Sequence, residues 1–192
     1  MKKIILTVFA ATSLLLYSTP SFALFSVSVG VPVGSTLTAP ADADGDKAES
    51  DGASGYFLGV QLPFAVGLGI DSYKTKQKGT NRKVATSMYN IFYQLPIPVV
   101  NLIIGLGTGE KTMECPQFMS EEHTKACSEY FKKGGATQWY TSIGIPLIPL
   151  FDIHLSYRSV TSKTVEYIGP NADGSKNDLG ETVTGLGIAF NF

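Results

Sequence analysis

Tryptophan, histidine and cysteine are nearly missing from this chain, which holds one Trp, two His and two Cys in 192 residues. No CxxC is present, so a dithiol redox motif is excluded. His123 beside Cys115 and Cys127 does not complete a zinc set. Charge is scarce too, at 16% of residues and a net charge of −1, which leaves no basic excess to hold nucleic acid. Past the N-terminus the chain also lacks a long apolar run. The best candidate, Leu95 to Leu106, is broken by Pro96, Pro98, Asn101 and Gly105. A membrane-spanning helix needs about 20 apolar residues.

The N-terminus itself has a basic start, Met1-Lys2-Lys3, then an apolar stretch from Ile4 to Leu16 and a Ser21-Phe22-Ala23 cleavage pattern. This order reads as a secretory signal peptide over 1–23, leaving 24–192 as the mature domain. No Cys lies at the cleavage region, so lipoprotein processing is not expected. Removing Lys2 and Lys3 leaves 13 basic and 16 acidic side chains, a net charge of −3. An exported chain without a spanning helix is either soluble or a β-barrel.

What the mature chain has in quantity is alternation. The last eight residues place Leu186, Ile188, Phe190 and Phe192 on one face of a strand, over Gly185, Gly187, Ala189 and Asn191. The same period of two recurs in seven earlier segments, at about 25–33, 55–62, 66–76, 83–95, 101–111, 136–145 and 151–161. Outward sets include Val27, Val29 and Val31; Leu58 and Val60; Leu68 and Ile70; Tyr89 and Ile91; Ile104 and Leu106; Trp139 and Ile143; and Ile153 and Leu155. The opposite faces carry Gly and polar residues, too small to pave a water-exposed sheet. A strand with one greasy and one small or polar face suits a wall between lipid and a filled lumen. A lipocalin-like barrel or β-sandwich, the soluble alternative, would point its apolar face inward.

The connections alternate as well. Three are short and contain Pro, around 63–64, 96–99 and 146–149, and Pro marks strand ends because it cannot donate to a ladder. Four are polar and mostly longer, at 35–54, 77–82, 112–135 and 162–180. The expected fold is therefore all-β, an eight-stranded antiparallel up-and-down transmembrane β-barrel. Both termini would be periplasmic and the polar loops outside. The leader, the Gly-x-Gly spacings and the Phe190-x-Phe192 ending resemble the small eight-stranded outer-membrane β-barrel proteins of Gram-negative bacteria, of the OmpA-transmembrane-domain and opacity-protein type. The resemblance is one of pattern over the whole mature chain, and no motif assigns a subfamily. It implies that Phe190 and Phe192 serve as an assembly signal read by the outer-membrane assembly machinery, and that the barrel meets outer-membrane lipid and lipopolysaccharide.

An eight-stranded barrel is narrow enough for side chains to fill. Tyr73, Met88, Phe92 and Tyr140 are expected to fill this one. Asp71, Asp152, His154 and Arg158 fall on inner faces, and unpaired buried charge is costly. They are expected to form a lumen polar network in which Arg158 pairs with Asp71. His154-Leu155-Ser156 resembles the His-x-Ser pair of outer-membrane lipid A deacylases. Tyr157 replaces the family's Asn, however, and the pair faces inward near the wrong leaflet. No catalytic, cofactor or metal residues are assigned.

In the loops, Cys115 and Cys127 are expected to form a disulfide in the oxidising periplasm, with a contribution of about 3 kcal/mol in the chain-entropy account. Ser120 can cap a helix that begins with Glu121 and Glu122 and ends near Lys132, Lys133 and Gly134. The run from Asp42 through Asp44, Asp46 and Glu49 to Asp51 suits a hard cation, but Lys47 and Ala53 break the EF-hand pattern. A solvated acidic loop is the simpler expectation, with Ca²⁺ binding as the alternative. Lys74, Lys76, Lys78, Arg82 and Lys83 form a basic cluster suited to lipopolysaccharide phosphates, and pairing with the acidic loop is the competing reading. The 171–175 run reads as turn chemistry. Taken together, these features point to a non-enzymatic structural or surface-binding role carried by extracellular loops. A narrow passive channel is the alternative, and a lipid A-modifying enzyme ranks third.

Overall fold

The structure, a computed structural model, describes residues 25–38, 49–79, 82–95, 97, 100–114, 132–148, 150–163, 165–166, 176–177 and 179–192. The leader, residues 39–48 of the acidic 35–54 loop, and 115–131 with Cys115, Cys127 and most of the expected helix lie outside the described residues. Lys132 and Lys133, expected in its last turn, are in no helix, because Gly134 already begins a strand.

Alternating segments become strands because period two puts every apolar side chain on one surface. The strands are β1 (Ser26–Leu37), β2 (Ser50–Gln61), β3 (Val66–Gln77), β4 (Lys83–Leu95), β5 (Asn101–Glu114), β6 (Gly134–Ile148), β7 (Phe151–Lys163), β8 (Val165–Glu166), β9 (Lys176–Asn177) and β10 (Glu181–Asn191). Eight of them close into an antiparallel barrel in the order β1-β10-β7-β6-β5-β4-β3-β2. The remaining two, β8 and β9, form a two-residue ladder within the 162–180 connection, and the 171–175 run lies outside the described residues. Barrel strands also run further toward the long loops than alternation suggests. β2 begins at Ser50, with a register shift between Ser50 and Ala53, and β10 begins at Glu181.

The apolar faces point out. Val29, Leu58, Leu68, Ile91, Leu106, Ile143, Leu155 and Ile188 are all exposed. Tyr73, Met88, Phe92 and Tyr140 are buried inside. The inner wall follows one spatial rule, in which large residues face glycine across the ladder. Phe92 is paired with Gly67 and Tyr140 with Gly105, and a Cβ on either glycine would overlap the ring. Gly55, opposite Tyr73, has φ +148, and its Cβ would strike the β3 backbone. The Gly-x-Gly spacings are thus the seats of the side chains that fill the lumen.

At the short-turn end, Pro63–Ala65 forms one 3-10 turn. Phe64 and Ala65 both take left-handed backbone, φ 74 and φ 66, at roughly 1–2 kcal/mol per residue. No helix among the described residues is long and apolar enough to cross a membrane.

Candidate functional site

Inside the barrel the polar side chains lie in three tiers. At the short-turn end, Asp152 on β7 accepts hydrogen bonds from the amides of Asn101 and Asn191, the latter at 2.9 Å. Gln94 donates to Asn101 Oδ1 at 2.7 Å, which extends the network across β4, β5, β7 and β10. His154 Nε2 lies 3.8 Å from Asp152, while Nδ1 is 3.3 Å from Ser142 Oγ.

Midway up, Arg158 Nε donates to Asp71 Oδ2 at 3.0 Å, the pairing expected from strand position. Gln138 Nε2 donates to the same oxygen at 2.6 Å and to Asn90 Oδ1 at 2.9 Å. The guanidinium carbon sits 3.7 Å from the Phe57 ring centroid and 4.9 Å from that of Tyr140. The planar cation is therefore held between rings while its edge meets the carboxylate, an arrangement lysine could not reproduce.

Period two also places Lys111 and Glu181 inside, although neither was among the expected lumen residues. The two are wholly buried and meet at 2.7 Å near the long-loop end. Glu181 reaches across the lumen and accepts from Tyr73 Oη at 3.0 Å, Thr75 Oγ1 at 2.7 Å and Thr86 Oγ1 at 2.8 Å. Lys111 also donates to the Leu179 carbonyl at 2.9 Å. Apolar layers enclose this tier, with Val84 and Leu179 clustered beyond it and Met88, Ala136 and Val160 nearer the middle. Buried ions with most of their hydrogen-bonding capacity filled are costly to form and costlier to break. The alternation of Gly105, Gly107 and Gly109 could have flagged Lys111, and that of Ala189, Gly187, Gly185 and Val183 could have flagged Glu181.

A cavity of about 60 Å³ lies around the middle tier, lined in part by Asp71, Asn90, Ser142, His154, Ser156 and Arg158. His154 Nε2 and Gln138 Oε1 are buried without a hydrogen-bond partner among the described residues. The His-x-Ser pair does not form a base–nucleophile contact. Ser156 Oγ donates to the Gly185 carbonyl at 3.3 Å and accepts from Arg158, while His154 turns to Ser142. No group of three or more His, Cys, Asp or Glu that could hold a metal ion occurs among the described residues.

The rim carries a second set of charges. Lys74 pairs with Glu114 at 2.8 Å, Lys76 with Asp51 at 2.7 Å, Lys78 with Glu49 at 2.5 Å and Lys133 with Glu110 at 2.6 Å. Three lysines of the expected basic cluster therefore already meet acids, and two of those acids, Glu49 and Asp51, belong to the acidic 35–54 loop, the competing pairing. Hydrogen bonding and charge from Lys78 hold the Glu49 carboxyl below its usual range. Arg82 and Lys83 are exposed on the same rim. Below it, Trp139 stacks at a tilt on Tyr157, centroids 5.6 Å apart, on the outer wall. At the seam, Phe190 packs edge-on against Phe151 at 4.5 Å and lies 4.6 Å from Phe192.

No protein-family model matches the chain, and no curated protein matches it in sequence. Solved structures do match in shape. Neisserial surface protein A (NspA) superposes with a TM-score of 0.66 at 12% identity, covering 88% of this chain and 97% of its own. The E. coli outer membrane protein W superposes with a TM-score of 0.50 at 10% identity, covering 88% of this chain and 98% of its own. At such identities the likeness is one of fold: the chain is a closed eight-stranded β-barrel built like these small outer-membrane proteins.

Proposed function

We propose that this protein is an integral outer-membrane barrel with a non-enzymatic, structural or surface-binding role exerted through its long loops. Both termini would be periplasmic, the leader over 1–23 removed, and the 112–135 connection braced by a Cys115–Cys127 disulfide. The observation that carries this reading is the division of the polar groups. In the lumen Lys111 and Arg158 meet Glu181 and Asp71 while amides hold Asp152, and exposed charge gathers at the long-loop rim. A filled lumen leaves the loops as the surface available for recognition. Lys74, Lys76, Lys78, Arg82 and Lys83 stand where lipopolysaccharide phosphates would meet a rim of mixed charge. Phe190 and Phe192, beside the closing seam, suit the role of assembly signal.

The test begins with purified protein in detergent and in vesicles. A heat-modifiable band and partition into the detergent phase are expected, and recovery in the aqueous phase would sink the membrane reading. Phe192→Ala should lower the assembled fraction. The cavity beside Arg158 favours a second reading, a narrow channel. Discrete, reproducible conductance steps in planar bilayers would establish it over the first, whereas a silent bilayer is expected. Lipid A acylation should be the same with and without expression of the protein, since Ser156 is committed to Arg158 and Gly185.

A further inference from the structure

We propose that the short-turn end of the barrel is seated within a lipid leaflet, so that phospholipid covers the three turns. This rests on the membrane-embedded reading and adds to it how deep the barrel lies. The stretches 62–66, 95–100 and 145–151 contain no Asp, Glu, Lys or Arg. Among the described side chains there, Phe64 is 92% exposed, Leu147 61%, Ile148 55% and Leu150 50%, while the small Ala65 is buried. Left-handed backbone at Phe64 holds this ring away from the barrel.

The turn surface is continuous with the outer wall. On β6 the exposed series Ile143, Ile145 passes directly to Leu147, and β7 resumes with Phe151 and Ile153. Between β2 and β3 the series Val60, Leu62, Phe64, Val66, Leu68 is likewise unbroken. No polar row separates wall from turn, as would be needed if water began there. At this end Ser26, Gln61, Gln94, Asp152 and Asn191 line the interior, and Asn101 bonds to Gln94 and Asp152, which Asn191 also meets.

Height supports the same placement. On β7 the outward apolar run from Phe151 to Tyr157 is six steps of about 3.4 Å, which at a tilt of about 40° rises roughly 16 Å. An outer-membrane barrel needs an apolar band of about 25 Å. The run on β3, Val66 to Ile70, is shorter still. Even the longest run, Phe25 to Val33 along β1, is eight steps or roughly 21 Å by the same measure, and the turns supply the remaining height. A contiguous apolar end left in water would also be unusual for a soluble surface.

Trp139 is the only tryptophan, so a reporter can be moved. Trp139→Phe/Phe64→Trp, and separately Trp139→Phe/Leu147→Trp, are folded into nanodiscs of plain or brominated phosphatidylcholine. Each relocated tryptophan is expected to emit to the blue, to lose at least about half its intensity to brominated lipid, and to quench about threefold less with iodide than in the urea-unfolded chain. The inference is overturned if a heat-modifiable, inserted barrel shows free iodide access and no bromine quenching. Shielding that appears only with added periplasmic extract, or only as protein concentration rises, would also overturn it, in favour of a protein partner or a second copy. Failure of both variants and of the parent chain to insert at all would remove the membrane reading instead.

Discussion

Lys111 and Glu181 meet at 2.7 Å inside the barrel, and Lys76 and Asp51 meet at 2.7 Å on its rim. Both are ammonium–carboxylate contacts of equal length, yet the first is wholly buried and the side chains of the second are 42% and 53% exposed. Inside, each charge depends on its partner because nothing else nearby can solvate it. Outside, water and salt can replace either partner. Separation therefore says little about what an ion pair contributes. The medium around it decides, and this barrel holds both media within one strand's length.

Three changes can break or sharpen that contrast. The largest effect is expected from Lys111→Met, which strands the Glu181 carboxylate and should cost about 3–5 kcal/mol. Urea unfolding in vesicles would measure it, and Lys111→Met with Glu181→Leu should recover most of the loss. An unchanged unfolding midpoint in the single variant would mean that the lumen is wet enough to behave like the rim.

Crowding offers a second comparison. A side chain at Gly105 would run into the Tyr140 ring, whereas Gly135, near the rim, has open space around it. Gly105→Val should cost about 1–3 kcal/mol through overpacking, partly relieved by Tyr140→Ala in the same chain. Gly135→Val should leave the heat-modification temperature where it was, and equal losses at both sites would break the distinction.

The smallest effect belongs to the rim, where Lys76→Ala should shift unfolding too little to resolve. The pH dependence there has a defined sign. The Glu49 carboxyl is held low by Lys78, so any contribution from this pair is present above the ordinary carboxyl value and fades as pH falls through the lowered one. Between about pH 8 and 6 that contribution is fully present and constant, so the rim pair should add no pH dependence to stability there.

Much of this was legible from alternation. One greasy face per strand put Val29, Leu58 and Ile188 on the wall, and the opposite parity put Asp71, His154 and Arg158 inside, where the structure has them. Strand ends were less legible: Lys111 closes its alternating segment and Glu181 falls between the 162–180 loop and the last alternating run, so neither stood out as a lumen residue. Their partnership was hidden for a further reason: it crosses the lumen between strands that are not ladder neighbours, and sequence shows only neighbours along the chain. The pairing of Tyr140 with Gly105 depends on register, which the pattern of faces leaves open. The strain at Phe64 has no signature at all, since neither Phe nor Ala is a residue that left-handed turns favour.

The seam between β1 and β10 carries a kinetic meaning. Phe192 N donates to the Phe25 carbonyl at 2.8 Å, and Phe25 N reaches the Phe192 carbonyl at 3.4 Å. Every other ladder joins consecutive barrel strands and can form from a local hairpin or its equivalent. Only this one joins opposite ends of the described chain. Its entropic surcharge grows merely as the logarithm of loop length, but the wait for such a distant encounter is long. Until it closes, β1 and β10 are two unpaired sheet edges, each able to template strand addition by another chain. The hazard for this protein is thus a matter of time rather than of equilibrium. A finished cylinder offers no edge, whereas one arrested before closure offers two and would need an escort.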